Sequence, residues 1–125
     1  MTDRTITIEP LTKEAFAPFG QVITREGCNR FPINLGMTER CHDLASIELG
    51  GDNPRPMISI FDGKPYALPL TLRLVERHPL GSQAFYPLGH CSWLVIVAED
   101  DNGAPVRLRA FRPEPEQGVN IGMNI

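Results

Sequence analysis

The chain has 125 residues, 42% of them hydrophobic, and a formal net charge of −3; this length fits a single domain, 1–125, that can bury a core without staples. Its 12 Lys and Arg and 15 Asp and Glu are spread along the sequence rather than gathered in blocks, which argues against nucleic acid as a partner. The longest apolar run, Trp93–Ala98, is too short to span a membrane. Cys28, Cys41 and Cys91 form no C-x-x-C pair, and Met1–Thr5 carries no apolar signal core, so a reduced, cytoplasmic protein is expected.

Twelve prolines and eleven glycines separate short apolar or alternating segments, the pattern of an all-β domain rich in turns. Ile6 and Ile8 alternate in a first strand. Leu11–Gly20 predicts one short helix, with Thr12 as N-cap, Phe16 turned inward, and Pro18 and Gly20 ending it. Val22–Thr24 resumes as strand, and the polar, turn-rich stretch from Gly27 to Gly36 reads as a loop or an irregular edge. His42–Ala45 and Ile47–Leu49 alternate weakly before a turn at Gly50–Pro54.

Met57–Phe61 is the next expected strand, followed by Leu70–His78, a segment around Phe85, Trp93–Ala98 and Val106–Phe111. In the last, Val106, Leu108 and Ala110 face one way while Arg107 and Arg109 face the other. Arg112–Glu116 reads as an exposed connection. About eight short strands and a minor helix make a barrel or sandwich.

The most informative stretch is Glu76–Gly89. Along Leu70–His78 the alternation puts Leu70, Leu72, Leu74, Glu76 and His78 on one face of a strand. If the leucines face a core, an inward carboxylate and imidazole at the end of that face need partners, a metal or a water-filled cavity, as at the mouth of a barrel. A solvated strand end is the bland alternative.

The chain resembles the ureidoglycolate lyase family. The resemblance is carried by Leu11-Thr12-x-Glu14-Ala15-Phe16-Ala17-Pro18-Phe19-Gly20, Arg40-Cys41-His42-Asp43-Leu44-Ala45, Pro69-Leu70-Thr71 with Glu76–Phe85, Leu108–Phe111 and Gln117–Asn120. It implies an all-β, cupin-like β-barrel (a double-stranded β-helix) with one short N-terminal helix. Family members continue past the Gly118-Val119-Asn120 stretch with an aromatic, a short strand, and a tryptophan with two histidines and a proline. This sequence reads Ile121-Gly122-Met123-Asn124-Ile125 there. The expectation is a truncated member with an incomplete barrel, whose open edge invites self-association.

The same resemblance implies cleavage of ureidoglycolate to glyoxylate and urea, a step in allantoin breakdown. It also implies a divalent metal such as nickel, and a homodimer. For that chemistry a base must take the hydroxyl proton of the central carbon while an acid protonates the departing nitrogen. A cation must hold the carboxylate and the developing alkoxide.

His78 is the first candidate for metal ligand or base, and Glu76 for second ligand or acid. Gln83, where metal-binding cupins often carry glutamate, is the candidate for a hydrogen bond to substrate. Arg40, Arg73 and Arg77 are candidate carboxylate clamps; parity turns Arg73 and Arg77 away from Glu76 and His78 and favours Arg40. His42-Asp43 reads either as an orienting pair at the pocket rim or as a structural turn. His90, next to Gly89, is expected to be exposed. A cupin-like module that binds a small carboxylate without turnover, or one that serves oligomerisation alone, is the competing reading.

Overall fold

The computed structural model describes residues 4–125. Strand β1 (Ile8–Pro10) runs into helix α1 (Lys13–Phe16) through Leu11 and Thr12. Thr12 is extended, at φ −128° and ψ 154°, and its hydroxyl accepts from the Ala15 amide at 3.1 Å, so it caps the helix as its position predicts. The helix is a single turn: Pro18 follows, and Phe19 N donates to Phe16 O at 2.8 Å to close the chain into β2 (Gly20–Ile23). Only glycine fits position 20, because a Cβ there would lie 1.8 Å from the Asn120 carbonyl oxygen.

The remaining strands are β3 (Asn29–Ile33), β4 (Thr38–His42), β5 (Gln83–Phe85), β6 (Val95–Asp101), β7 (Ala104–Arg112) and β8 (Gly118–Ile121). They form sheets ordered β1-β7-β6 and β2-β8-β5 and a two-stranded ribbon, β3-β4. β1 lies parallel to β7, and the other pairs are antiparallel. The regular structure is thus nearly all β with one short helix, as expected. No ladder among the described residues joins the three sheets into a closed barrel.

One apolar cluster ties the two three-stranded sheets together. Val95, Val97 and Phe111 come from one sheet and Val22 and Val119 from the other, with Leu11, Phe16 and Phe19 from the helical connection. Phe16, Phe111 and Val119 have no exposed surface, and each such side chain contributes about 1.5–3 kcal/mol by its burial. The inward orientation expected of Phe16 is therefore found.

Strand pairing sets Arg109 opposite Val97 and Phe111 opposite Val95, so Arg109 shares the core-facing side with Phe111. It ends at the rim of the core. There its guanidinium donates to both Glu9 carboxylate oxygens, at 2.9 and 2.7 Å, and to Ala15 O at 3.2 Å, while lying 5.0 Å over the Phe111 ring. One side chain thereby joins β1, α1 and β7.

The hydrogen-bonded Arg109 guanidinium holds the Glu9 carboxyl below the usual carboxylate range, against the smaller opposing effect of desolvation. A group with a lowered folded pKa stabilises the native state above its unfolded value, and that contribution is lost as pH falls through the folded one. The resistance of the chain to urea is therefore expected to decline as pH drops below about 4, and Glu9→Gln to flatten that decline. Parallel pH profiles of the urea midpoint for the two proteins would remove Glu9 from the account.

Two expected strands are absent. Met57–Phe61 and Leu70–His78 carry no regular secondary structure and pair with no strand. Ile58 is fully exposed and Leu74 is 72% exposed, while Leu72 and Val75 are the half-buried positions of the second segment. Period-two burial fails because no neighbouring strand enforces a pleat there. The segment is an arm clamped at its base: Leu49 bridges Gly81, Gly50 N donates to Leu80 O at 2.9 Å, and Ser82 N donates to Glu48 O at 3.0 Å. Phe61 touches the body through the Phe85 ring, 5.7 Å away. Conversely, the stretch read as loop or irregular edge contains β3, fully paired with β4 from Asn29↔His42 to Ile33↔Thr38.

Candidate active site

Glu76 lines a cleft, and Gln83 pairs across the β5–β8 ladder with one of that cleft's residues, Ile121. The cleft, about 210 Å³, is lined by Val75, Glu76, Arg77, Val97, Ile121 and Ile125, among others. Gln83 opens β5 directly opposite Ile121, and its parity with Phe85, which packs on the core, sets both on the side facing the interior. The side chain of Gln83 is half-buried; that of Glu76 is exposed.

His78 is exposed at the base of the arm, where its carbonyl accepts from Asn124 N at 2.9 Å. That bond, together with the one from Met123 N to the Glu48 carboxylate at 3.0 Å, ties the arm and the following loop to the end of β8. Glu76 lines the cleft and His78 follows it two residues on, both exposed, without the inward strand face that alternation suggested.

A second grouping sits on the ribbon. Arg40 faces Phe31 across the β3–β4 ladder, with its guanidinium 5.8 Å from the ring centroid. His42, on the same face of β4, has its ring 5.8 Å from Phe31. His42 is half-buried, and its Nδ1 is a buried polar atom with no partner among the described residues. Such an atom costs free energy unless a ligand or water meets it. Asp43 does not orient His42 from within the strand: it has φ 53° and ends β4, which is the turn reading of the pair.

Arg77 pairs with Asp100, and the hydrogen bond from its guanidinium lowers the Asp100 carboxyl below its ordinary value. Arg77 also lines the same cleft as Glu76, which corrects the parity reading that turned it away. Arg73 is exposed, as is His90, whose exposure was expected. Glu76 and Arg77 thus line the cleft, Gln83 lies on β5 opposite Ile121 of its wall, and Arg40 and His42 sit together on the ribbon.

Asn120 was not singled out by the sequence, although it is the most buried polar residue, 1% exposed in the middle of β8. Its Nδ2 donates to Gln21 Oε1 at 2.9 Å and to Ser46 O at 2.8 Å, and Gln21 Oε1 also accepts from Ser46 N at 3.1 Å. This clamp fixes the loop after His42 onto β2 and β8. Asn120 Oδ1 has no partner among the described residues. The signal was available in the sequence: an amide interrupting the otherwise apolar Gly118–Ile121 run.

Among the described residues no three His, Cys, Asp or Glu side chains come together as metal ligands. Glu76 and His78 by themselves do not make up the ligand set a first-row divalent ion requires, so the residues present do not fit the nickel that the family resemblance implies.

The family model for ureidoglycolate lyase matches residues 3–125 of the chain. The chain belongs to the ureidoglycolate lyase family. It is 60% identical over 121 residues to the ureidoglycolate lyase of Chelativorans sp. (strain BNC1), an alignment covering 97% of this chain and 73% of that protein. Identity to the ureidoglycolate lyase of Brucella anthropi is 53% over 121 residues, covering 97% of this chain and 72% of the relative. With ureidoglycolate lyase 2 of Rhizobium meliloti it is 50% over 120 residues, covering 96% and 74%. Family membership thus extends through every element described above, including both groupings of candidate residues. Among the described residues, no helix is long and apolar enough to cross a membrane.

Proposed function

We propose that this chain is a carbon–nitrogen lyase that cleaves ureidoglycolate to glyoxylate and urea. The observation that carries the reading is the match of residues 3–125 to the family, together with 50–60% identity to proteins named for that activity. In the assigned chemistry, His78 takes the proton of the hydroxyl on the central carbon. The electron pair of that O–H bond forms the carbonyl of glyoxylate, the carbon–nitrogen bond breaks, and Glu76 in its protonated form delivers a proton to the departing ureido nitrogen.

Gln83, half-buried opposite the cleft residue Ile121, is assigned to hydrogen-bond the substrate. Arg40 or Arg73 is assigned to the carboxylate, for which a guanidinium offers a bidentate match, and His42 to the substrate through its unpartnered Nδ1. A divalent ion would need ligands beyond Glu76 and His78, and no step here is routed through one. A cytoplasmic homodimer completes the reading, supported by free cysteines and by the apolar side chains that the 51–80 arm leaves uncovered.

The test is glyoxylate release from racemic ureidoglycolate by the purified, folded 125-residue chain, run with added nickel and in parallel with a chelator. Product above the spontaneous rate is expected. A folded sample that binds glyoxylate but releases no product from ureidoglycolate would move the protein to the class of small-carboxylate binding modules.

A further inference from the structure

The two faces of the β3–β4 ribbon carry different chemistry. One presents Phe31, Arg40 and His42. On the other, Arg30 lies directly opposite Cys41, and by parity Cys28, two residues before Arg30, belongs to the same side. Both cysteines are half-buried with free thiols. Arg30 stays between them, its guanidinium 3.6 Å from the Glu39 carboxylate on the same face.

The neighbouring Cys41 side chain, followed by the adjacent Arg30, holds the Cys28 thiol below the usual range against desolvation. The Cys28 side chain, aided by desolvation, raises Cys41. The thiols are thus unequal. Cys28 is the more readily deprotonated of the two, and the thiolate is the nucleophilic form. The third cysteine, Cys91, is exposed and remote in sequence from this pair.

We propose that Cys28 and Cys41 form a reversible dithiol–disulfide site that reacts with oxidants of the peroxide class. The Cys28 thiolate attacks one peroxide oxygen, the O–O bond breaks, and the departing hydroxide takes up a proton to leave as water; Cys28 becomes a sulfenic acid. The Cys41 sulfur then attacks the Cys28 sulfur. The S–S bond forms, the S–O bond breaks, and the hydroxyl leaves with the Cys41 proton as a second water. The pair of thiols is oxidised and the peroxide reduced, and a dithiol reductant reverses the change.

The backbone can accommodate the bond. A disulfide needs Cα atoms about 4.4–6.8 Å apart, slightly closer than the roughly 7–8 Å of diagonal cross-strand neighbours. Cys28 precedes the first ladder residue of β3 and belongs to a turn closed by its own amide on Arg25 O at 3.2 Å. It can therefore shift toward Cys41 without breaking a strand pair. The resulting cross-link would brace the ribbon whose opposite face carries Arg40 and His42.

The experiment treats the full chain with hydrogen peroxide and maps the thiols by mass spectrometry without reduction. The expected result is loss of the free thiols at Cys28 and Cys41 as one intrachain cross-linked peptide pair, with Cys91 retained and full recovery on dithiothreitol. In Cys41→Ser, a dimedone adduct is expected at Cys28. In Cys28→Ser, no comparable adduct should form at Cys41. Oxidation confined to Cys91, disulfides between chains, or equal dimedone labelling of the two variants would overturn the proposal.

Discussion

Phe111→Ala is expected to remove about 3–5 kcal/mol of folding stability, the largest loss from any single side chain in this fold. Phe111 is fully buried in β7, the central strand of its sheet. Its ring meets Phe16 edge-on at 5.6 Å and Phe19 at 6.4 Å, so it is the point at which the helical connection rests on the sheet. Truncation removes both aromatic contacts and the surface beneath Arg109, and leaves a cavity that close-packed neighbours fill only in part. Domains of this size are stable by roughly 5–15 kcal/mol in total, so the loss is a large fraction of the whole. Urea unfolding followed by circular dichroism reads it. Phe111→Leu, which keeps much of the volume, should retain well over half of the lost stability, and a shift below about 1 kcal/mol for the alanine variant would mean that the cluster is not the centre of the fold.

What could be read directly from the chain was local. The Thr12 cap and the buried Phe16 follow from a helix start whose signals lie within one turn, and β6 and β7 from apolar runs bounded by Asp, Asn, Gly and Pro. The unpaired segments Met57–Phe61 and Leu70–His78 look like strands because alternation describes a chain suited to pairing, whereas the partner is set by distant residues. β3 went unrecognised for the opposite reason. Its ribbon leaves most of its side chains in water, so Asn29, Arg30 and Pro32 give it a loop-like composition while its backbone is fully paired. The alternation of β7 separates Arg109 from Ala110 but does not reveal that Glu9 and the Ala15 carbonyl meet its guanidinium at the core rim.

The candidate site was legible residue by residue but not as a constellation. Arg40 and His42 share a face with Phe31 only through the β3–β4 pairing, and the positive φ of Asp43 belongs to the fold rather than to any local pattern. The pairing of Gln83 with Ile121, a residue of the cleft that Glu76 lines, depends on the β5–β8 register, which no local pattern encodes. Asn120 shows the same limit. An amide in an apolar strand signals that partners exist, but Gln21 and Ser46 are 99 and 74 residues away in sequence.

His78→Ala and Glu76→Gln are each expected to lower the turnover of ureidoglycolate by about 10²–10⁴-fold, the range contributed by a positioned general acid or base. Both side chains are exposed and neither belongs to the apolar cluster, so the variants should keep the wild-type circular dichroism spectrum and urea midpoint within about 0.5 kcal/mol. The bond that His78 makes in the fold uses its backbone carbonyl, which alanine preserves. A fall in kcat with little change in KM would place the lost interaction in the transition state rather than in substrate binding. Gln83→Ala and Arg40→Ala should instead act mainly through KM, since a hydrogen bond or carboxylate clamp made equally in ground and transition states contributes uniform binding. Wild-type turnover from both His78→Ala and Glu76→Gln would remove the acid–base assignment from the arm and direct the search to the ribbon, where His42 keeps a buried nitrogen without a partner among the described residues.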